Sequence, residues 1–573
     1  MKVSGWWIET GAVIVGSLFL GFLFSHSILP HIGQITLVYD WTRGLEWAWS
    51  NWVTISRFHQ FPLWNPYKCG GLPSFANPQS HLLTPFLLLH FLFGPVAGLE
   101  LEIPLHASIS FSGAYVLARI LGSGTLGAIA CSVTFAGSSW LFLHAAVGHE
   151  VFFPAAYLPW VCVFFWRGFL KRSLADSSIA GLLIALMFWE GGVYVVIQIA
   201  VLLAVIACVL SVSERSAWPL LSLLVVALFT LGFSAVKLAP SAQMMMARPR
   251  PGYTNWVGPY ATLLSIISRR QDFFGPMKEL GFWEHAAYIS PVFVMLGLVG
   301  MLRSWRKGSA WIFGAGVFFV LALGGVSRYS PYVVLHSLPL VSSTYAPSRF
   351  LISFVLCFAV LVALGADYLS RRSGVARGIA VLLIAIGALD CLIISPGALK
   401  ETFSTIQPRS IPKSAEFRQF RDSSPSNIGM LPLNLANLGA VNCWETNFLD
   451  DSNPDVAGFN EARYRGEQYL VGPGAVRLID WSPNALTYEV NTPSPTLLVV
   501  NQSYNIGWRI VYGEGVVSPH NRLLSVLIPA TNGKVKLIYL PTAFIVGSLV
   551  TLVTCLGFAW LLVAARRSGS EAR

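Results

Sequence analysis

The sequence predicts an α-helical polytopic membrane protein carrying a small, mainly β domain near its C-terminus. Three observations carry that reading. Of 573 residues, 54% are hydrophobic and 11% charged, against about 25% charged residues in soluble domains, and mean hydropathy is +0.62. Apolar stretches of roughly 20 residues, enough to cross a bilayer, recur along the chain. After Pro396 the composition turns polar and rich in proline, asparagine and serine before one last apolar stretch.

The first span is expected over residues 7–29. Only Lys2 precedes it and no small-x-small cleavage pattern follows, so it reads as a retained span rather than a removed leader. Further spans are expected near 101–121, 123–144, 151–169, 176–190, 193–212, 217–240, 285–303, 309–326, 348–370, 377–395 and 542–565, about twelve in all. Short loops rich in Lys and Arg stay cytoplasmic, which places Arg119, Arg167-Lys171-Arg172, Arg303-Arg306-Lys307 and Arg371-Arg372 inside. The alternate hinges, His149-Glu150 and Glu190-Gly191-Gly192, carry neither Lys nor Arg.

One apolar run, Leu82 to Ala97, is excluded as a span, because counting it would invert every later loop and put the arginine pairs outside. Pro85, Gly94 and Pro95 interrupt it, so it is expected to lie along the outer interface or dip into it, as short amphipathic or re-entrant segments do. The polar region 396–541 suits one small domain. Thr496–Asn501, Leu524–Ile528 and Val535–Tyr539 alternate as strands do, with turns expected at Asn505-Ile506-Gly507 and Thr531-Asn532-Gly533.

The net charge of +11 does not call for nucleic acid, since orientation and anionic lipid account for the basic hinges. Most of the eight cysteines fall inside spans. Cys69 and Cys443 are the two expected outside, and unpaired thiols are expected there.

Chemistry concentrates in the first outer loop. Asp40 lies just past the first span's outer end, where a carboxylate could take a proton from an acceptor hydroxyl attacking an anomeric carbon. Position alone equally allows it to cap a helix over Trp41 to Trp52. Behind it, Pro62-Leu63-Trp64-Asn65-Pro66-Tyr67-Lys68-Cys69-Gly70-Gly71-Leu72-Pro73 and Asn77-Pro78-Gln79 gather turn formers that fix the backbone.

This pattern resembles the YfhO family of bacterial membrane proteins, in the GT-C superfamily of glycosyltransferases that use polyprenyl-phosphate sugars. The residues carrying the resemblance are Asp40, the Pro-Leu-Trp-Asn-Pro-Tyr, Gly-Gly-x-Pro and Asn-Pro-Gln stretches, and Gly148-His149. Leu338-Pro339 with Pro347-Ser348-Arg349, and Tyr504 to Trp508, complete it. The resemblance implies a GT-C-like catalytic membrane domain over 1–395, with outer loops at 30–100 and 241–284 and interfacial helices in the first. It also implies an extracytoplasmic β domain over 396–541, and a last span and cytoplasmic tail over 542–573.

Carried over residue by residue, the resemblance makes Asp40 the base and Glu150 with His149 a second polar contact. Trp64, Asn65, Tyr67, Asn77 and Gln79 become candidate substrate contacts. Arg349 stands where a guanidinium could clamp the departing phosphate; Lys237 could serve the same anion or snorkel to the surface. His26 and His106 are expected to be packed and hydrogen-bonded, and Asp367 with Arg371 to form an i,i+4 pair. No carboxylate cluster demands a metal, although Asp40 and Glu150 could share a divalent cation if the fold joins them.

The expected function is transfer of a sugar from a polyprenyl-phosphate donor, by inversion, to an extracytoplasmic envelope acceptor, which could be glycan, lipid or protein. The expected place is a bacterial cytoplasmic membrane with the site facing outward. Two alternatives stand beside it: a transporter or flippase of lipid-linked sugars, which would show ionisable groups near the midplane, and a scaffold for envelope assembly.

Overall fold

The computed structural model describes residues 3–35, 39–247, 256–270, 281–285, 287–338, 341–342, 344, 346–397, 399, 411–422, 430–442 and 453–571. Each expected span coincides with a helix. These are α1 (Val3–Phe24), α4 (Pro95–Ile120), α5 with α6 (Thr125–Ala136, Ser139–Ala146), α7 (Leu158–Leu170), α8 (Leu174–Trp189) and α9 (Val193–Ser213). The later ones are α10 (Trp218–Ala247), α12 (Pro291–Arg303), α13 (Ser309–Ala322), α15 (Leu351–Ser370), α16 (Gly374–Ile394) and the last helix, α18 (Thr542–Glu571). Among the described residues, seven helical stretches are long and apolar enough to cross a membrane and four more are apolar but shorter. Both the expected first span and the expected 285–303 span are shifted, to start at Val3 and Pro291.

Small residues bring the helices together. A Cβ on Gly300 of α12 would sit 1.9 Å from the Leu361 carbonyl of α15, and one on Gly365 would sit 1.9 Å from that of Leu296. Without side chains at the crossing the two backbones touch directly, the contact that favours helix pairs in lipid. α10 packs along α8 and α18, and α4 lies between α1 and α5.

The first loop is an ordered layer rather than a tether. It holds α2 (Trp41–Ser56), a short hairpin of β1 (Trp64–Asn65) and β2 (Leu72–Pro73), and α3 (Leu87–Phe93). α3 has seven residues, about 10 Å of helix at 1.5 Å per residue, too little for a crossing of about 30 Å. It folds back on α4 with Leu88, Leu92 and Phe93 exposed, an apolar edge suited to an interface.

The polar region forms two four-stranded antiparallel sheets. One orders β10 (Val516–His520), β11 (Leu523–Ile528), β8 (Thr496–Ser503) and β5 (Gln468–Leu470); the other orders β6 (Ala475–Ser482), β7 (Ala485–Thr492), β12 (Thr531–Tyr539) and β9 (Trp508–Tyr512). Ahead of them lie a parallel pair, β3 (Arg418–Phe420) and β4 (Leu438–Ala440), and the short helix α17 (Met430–Leu435). Asn505–Gly507 is the expected turn. Thr531-Asn532-Gly533 is not, because all three residues pair with β7 as the start of β12.

Alternating side chains of both sheets meet in one core of Tyr488, Val490, Leu498, Val526, Leu537 and Tyr539. Leu63, Trp64, Phe75 and Leu82 of the first loop belong to the same core, so the loop is built into the β domain. The remaining short helices, α11 (Pro259–Ile267) and α14 (Pro331–His336), lie in connections between spans.

Candidate functional site

The first loop and the α6–α7 hinge are sewn together by backbone. The Asp40 amide donates to the Val147 carbonyl (3.0 Å), and the Trp41 indole donates to the Ala145 carbonyl (2.8 Å). Gly148 makes this approach feasible. Its φ is +74°, and a Cβ there would lie 2.2 Å from the Trp41 nitrogen, a conformation and a contact that a side chain would forbid. The next residue, His149, is thereby set beside Asp40, with Nε2 3.5 Å from the carboxylate.

Asp40 occupies the N-cap position of α2 but makes no side-chain capping bond. Its carboxylate, 29% exposed, instead faces the Arg43 guanidinium at 3.4 Å. Arg43 also stands 3.9 Å from buried Glu150 and donates to the Gln79 amide oxygen at 3.3 Å. The two carboxylates expected to share a cation therefore flank a guanidinium that belongs to the chain. The Gln79 amide nitrogen continues to the Tyr194 hydroxyl (3.0 Å).

On the far side of His149, His144 meets it Nδ1 to Nδ1 at 3.1 Å and stacks on Phe152, ring centres 4.0 Å apart. The Arg349 guanidinium lies over Phe152 (4.9 Å) and Tyr194 (4.8 Å). One of its edges, Nε with Nη2, donates to both carboxylate oxygens of Glu284, at 2.6 Å each. Glu284 belongs to a short 3-10 turn, Phe282–His285, whose Trp283 packs on Tyr39 (4.7 Å) next to Asp40. Burial alone would raise the Glu284 carboxyl, but Arg349, with weaker help from His149 and His144, carries it from 4.5 down to about 2. Burial pushes the His149 imidazole below its ordinary value, with Glu284 and Asp40 pulling the other way. The imidazole facing Asp40 is neutral near pH 7.

Asp40, His149, Glu150 and Gln79 thus converge, and Arg349 joins them through the His144–Phe152 stack. Sequence reasoning missed Arg43, His144, Tyr194 and Glu284. Arg43 carried a signal, since it follows Asp40 at i+3 on a helix. Glu284 carried none, because a 65-residue separation hides its pairing with Arg349.

Other candidates lie elsewhere. Lys237 neither snorkels nor offers its charge to an anion: its ammonium donates to the Ser80, Phe188 and Trp189 carbonyls at 2.6, 2.9 and 3.2 Å, which uses its three donors. Beside it, Glu190 accepts from Thr84 and Tyr157 and pairs with His106, and Glu102 pairs with His81 and His90. His106 is packed and bonded as expected, whereas His26 is hydrogen-bonded as expected, its Nδ1 3.0 Å from the Leu23 carbonyl, but exposed rather than packed.

Trp64, Asn65 and Tyr67 are buried in the joint between loop and β domain, and Asn77 is buried in the first loop. Trp64 donates from its amide to Asn484 and from its indole to Gln502. Asn65 and Asn77 accept from the amides of Tyr67 and Gln79, forming turns, and the Tyr67 hydroxyl reaches Asn437.

Cys69 is disulfide-bonded, which corrects the expectation of a free thiol; Cys443 lies outside the described residues, as does Pro339. Asp367 and Arg371 form the expected pair at 3.4 Å, though the carboxylate's shorter bonds go to the Gly124 amide.

No family model matches the sequence, and no curated protein does either. Among solved structures the chain is similar to the cryo-EM structure of the arabinofuranosyltransferase AftD from Mycobacteria, with 16% identity and a TM-score of 0.38, over 68% of this chain. The similarity spans 27% of that longer chain, and at this level it carries no argument about function. The chain's own geometry has to supply one.

Proposed function

We propose that the chain is a membrane glycosyltransferase that moves a sugar from a polyprenyl-phosphate donor to an envelope acceptor outside the cell, with Asp40 as base. The observation that carries this reading is Asp40 itself. It is a helix-cap carboxylate that forgoes its capping bond, stays part-exposed, and is held between a guanidinium and a neutral imidazole. A carboxylate with acceptor capacity left over, at a site from which water can be partly excluded, suits proton removal from a sugar hydroxyl.

In the proposed step the acceptor oxygen bonds to the anomeric carbon as the bond to the donor phosphate oxygen breaks. The hydroxyl proton passes to Asp40 and the configuration inverts. The transition state is oxocarbenium-like, and the phosphate leaves without protonation when cations stabilise it. Arg43, already among acidic and amide groups, takes that role in place of Lys237; Arg349 joins if the donor phosphate displaces Glu284. An apolar-walled cavity of about 790 Å³ between α1, α4 and α7, lined by Ile14, Leu105, Ile109, Val116 and Trp160, has the character needed for an isoprenoid chain.

The rival reading, transport of lipid-linked sugar, draws on the buried ionisable groups Glu102, Glu190, His106 and Lys237. Their mutual pairing argues for a fixed structure over a moving path.

The test measures transfer from polyprenyl-phosphate sugars in membranes containing the wild-type chain or Asp40→Asn at matched levels. Transfer lost with donor binding retained supports Asp40 as base. Equal transfer by both removes that role, and sugar crossing the bilayer without transfer favours transport.

A further inference from the structure

Two sequence elements that the ionic cluster leaves unused, Gly70-Gly71-Leu72-Pro73 and Tyr504 to Trp508, converge on a second site. They border a cleft of about 540 Å³ between the first loop, the end of α10 and the β domain. Its frame is fixed. Asn505 accepts from the Gly507 amide (3.0 Å) and the Tyr539 hydroxyl (3.1 Å), and Asn453 donates to Ser503 (3.2 Å) and to the Arg522 carbonyl (2.9 Å).

Inside this frame a different set of side chains is uncommitted. Among the described residues, the side chains of Gln243, Tyr504, Asn521 and Arg522 line the cleft and make no hydrogen bond or ion pair with another residue. Asn521 and Arg522 form the two-residue turn between β10 and β11, where His520 pairs with Leu523. Asn521 takes φ +55°, a conformation Asn tolerates in such turns. The Arg522 carbonyl is held by the Tyr504 amide (2.9 Å). The turn's main chain is therefore anchored while its side chains stand open.

The chemistry of the lining selects a ligand class. Amide, phenol and guanidinium donors beside the flat faces of Pro73, Pro519 and Tyr504 suit a chain with many hydroxyls and apolar ring faces. Among the described residues, one cation and no carboxylate line the cleft, so an acidic chain fits better than a basic one.

We propose that this cleft binds an acidic oligosaccharide segment of the acceptor glycan, holding the polymer at the joint between the β domain and the membrane helices. The proposal rests on the transferase reading above for the identity of its ligand as an acceptor, but binding itself does not require transfer.

The experiment uses the full chain in lipid nanodiscs, with hexameric oligogalacturonate as the acidic probe and maltohexaose as the neutral one. Wild type is expected to bind the acidic probe more tightly, and Arg522→Ala to bind it about tenfold more weakly, which is about 1.4 kcal/mol. Asn521→Gly removes the amide while easing the positive φ, and is expected to weaken binding without disturbing the fold. Asp40→Asn should bind as wild type does. Unchanged affinity in both turn variants, equal affinity for the two probes, or no binding of either overturns the proposal. Binding lost in the turn variants while Asp40→Asn still transfers sugar would keep this site and remove the catalytic reading.

Discussion

Two groups of ionisable residues sit near one another in the structure and differ in one respect. Around Lys237, the ammonium is matched to three carbonyls, and Glu190, Glu102 and their histidines are matched to one another. Around Asp40, the carboxylate has two loose partners at 3.4 and 3.5 Å and 29% exposure, and one buried oxygen of Glu150 has no hydrogen-bond partner. Closed pairing makes structure, because a buried polar group left unmatched costs about 1–3 kcal/mol. Incomplete pairing at a part-open position leaves capacity for a substrate.

The largest expected effect tests the open side of this contrast. Asp40→Asn should lower transfer by about 10²–10⁴-fold, the usual worth of a general base. Its thermal unfolding should shift by about 1 kcal/mol at most, because the buried Arg43 guanidinium keeps Glu150 and the Gln79 amide oxygen when the part-exposed Asp40 charge is lost. A large loss of stability would move Asp40 into the structural group.

Glu284→Gln probes the boundary between the groups. It leaves the Arg349 guanidinium buried without its carboxylate and should destabilise by about 3–5 kcal/mol, read as a lower unfolding midpoint. Full stability in this variant would show that the pair is open to exchange with an anion.

Lys237→Met tests the closed side. It removes a donor from three carbonyls, of which that of Phe188 keeps the Gly191 amide at 3.0 Å, and should destabilise on the order of 2 kcal/mol, while the folded fraction keeps its rate per molecule. A rate lost at unchanged stability would return Lys237 to the site.

The smallest effect is on pH dependence. The His149 imidazole sits below its ordinary 6.5, so below that pH the unfolded chain binds the proton more readily and folding stability falls. The Glu284 contribution is present above 4.5 and lost as pH falls toward 2. These two groups should therefore contribute a decline of the unfolding midpoint below about 6.5 and a second below about 4.5, against the gain on acidification from the Glu150 and Glu467 carboxyls, which burial raises to about 7. Glu284→Gln should flatten the lower limb and, because Glu284 holds the His149 imidazole up, deepen the upper one. A Glu284→Gln midpoint that falls below pH 4.5 as steeply as wild type would contradict the Glu284 assignment.

How much of this was legible in the sequence depends on range. The helices were, because twenty apolar residues in a row leave lipid as their environment and helix as their backbone solution. The short α3 was, because Pro85, Gly94 and Pro95 divide its apolar run. Asp40, His149 and Glu150 were singled out as types and positions.

Their companions were not. Periodicity says which residues are apolar together, but nothing local says that Gly148 will lay its backbone on Trp41, or that a turn at Glu284 will reach Arg349. The first loop shows the same limit. Trp64 and Tyr67 read as substrate contacts, whereas Trp64 fills the β-domain core, because large apolar area is removed from water wherever the fold offers space.

The sequence by itself determined the membrane class, the helical stretches, the appended β domain and the turn-rich first loop, all of which follow from composition and short-range pattern. Only the tertiary structure decided which charges are closed off and which stay available, since hydrogen-bond partners are assigned by packing among residues hundreds of positions apart.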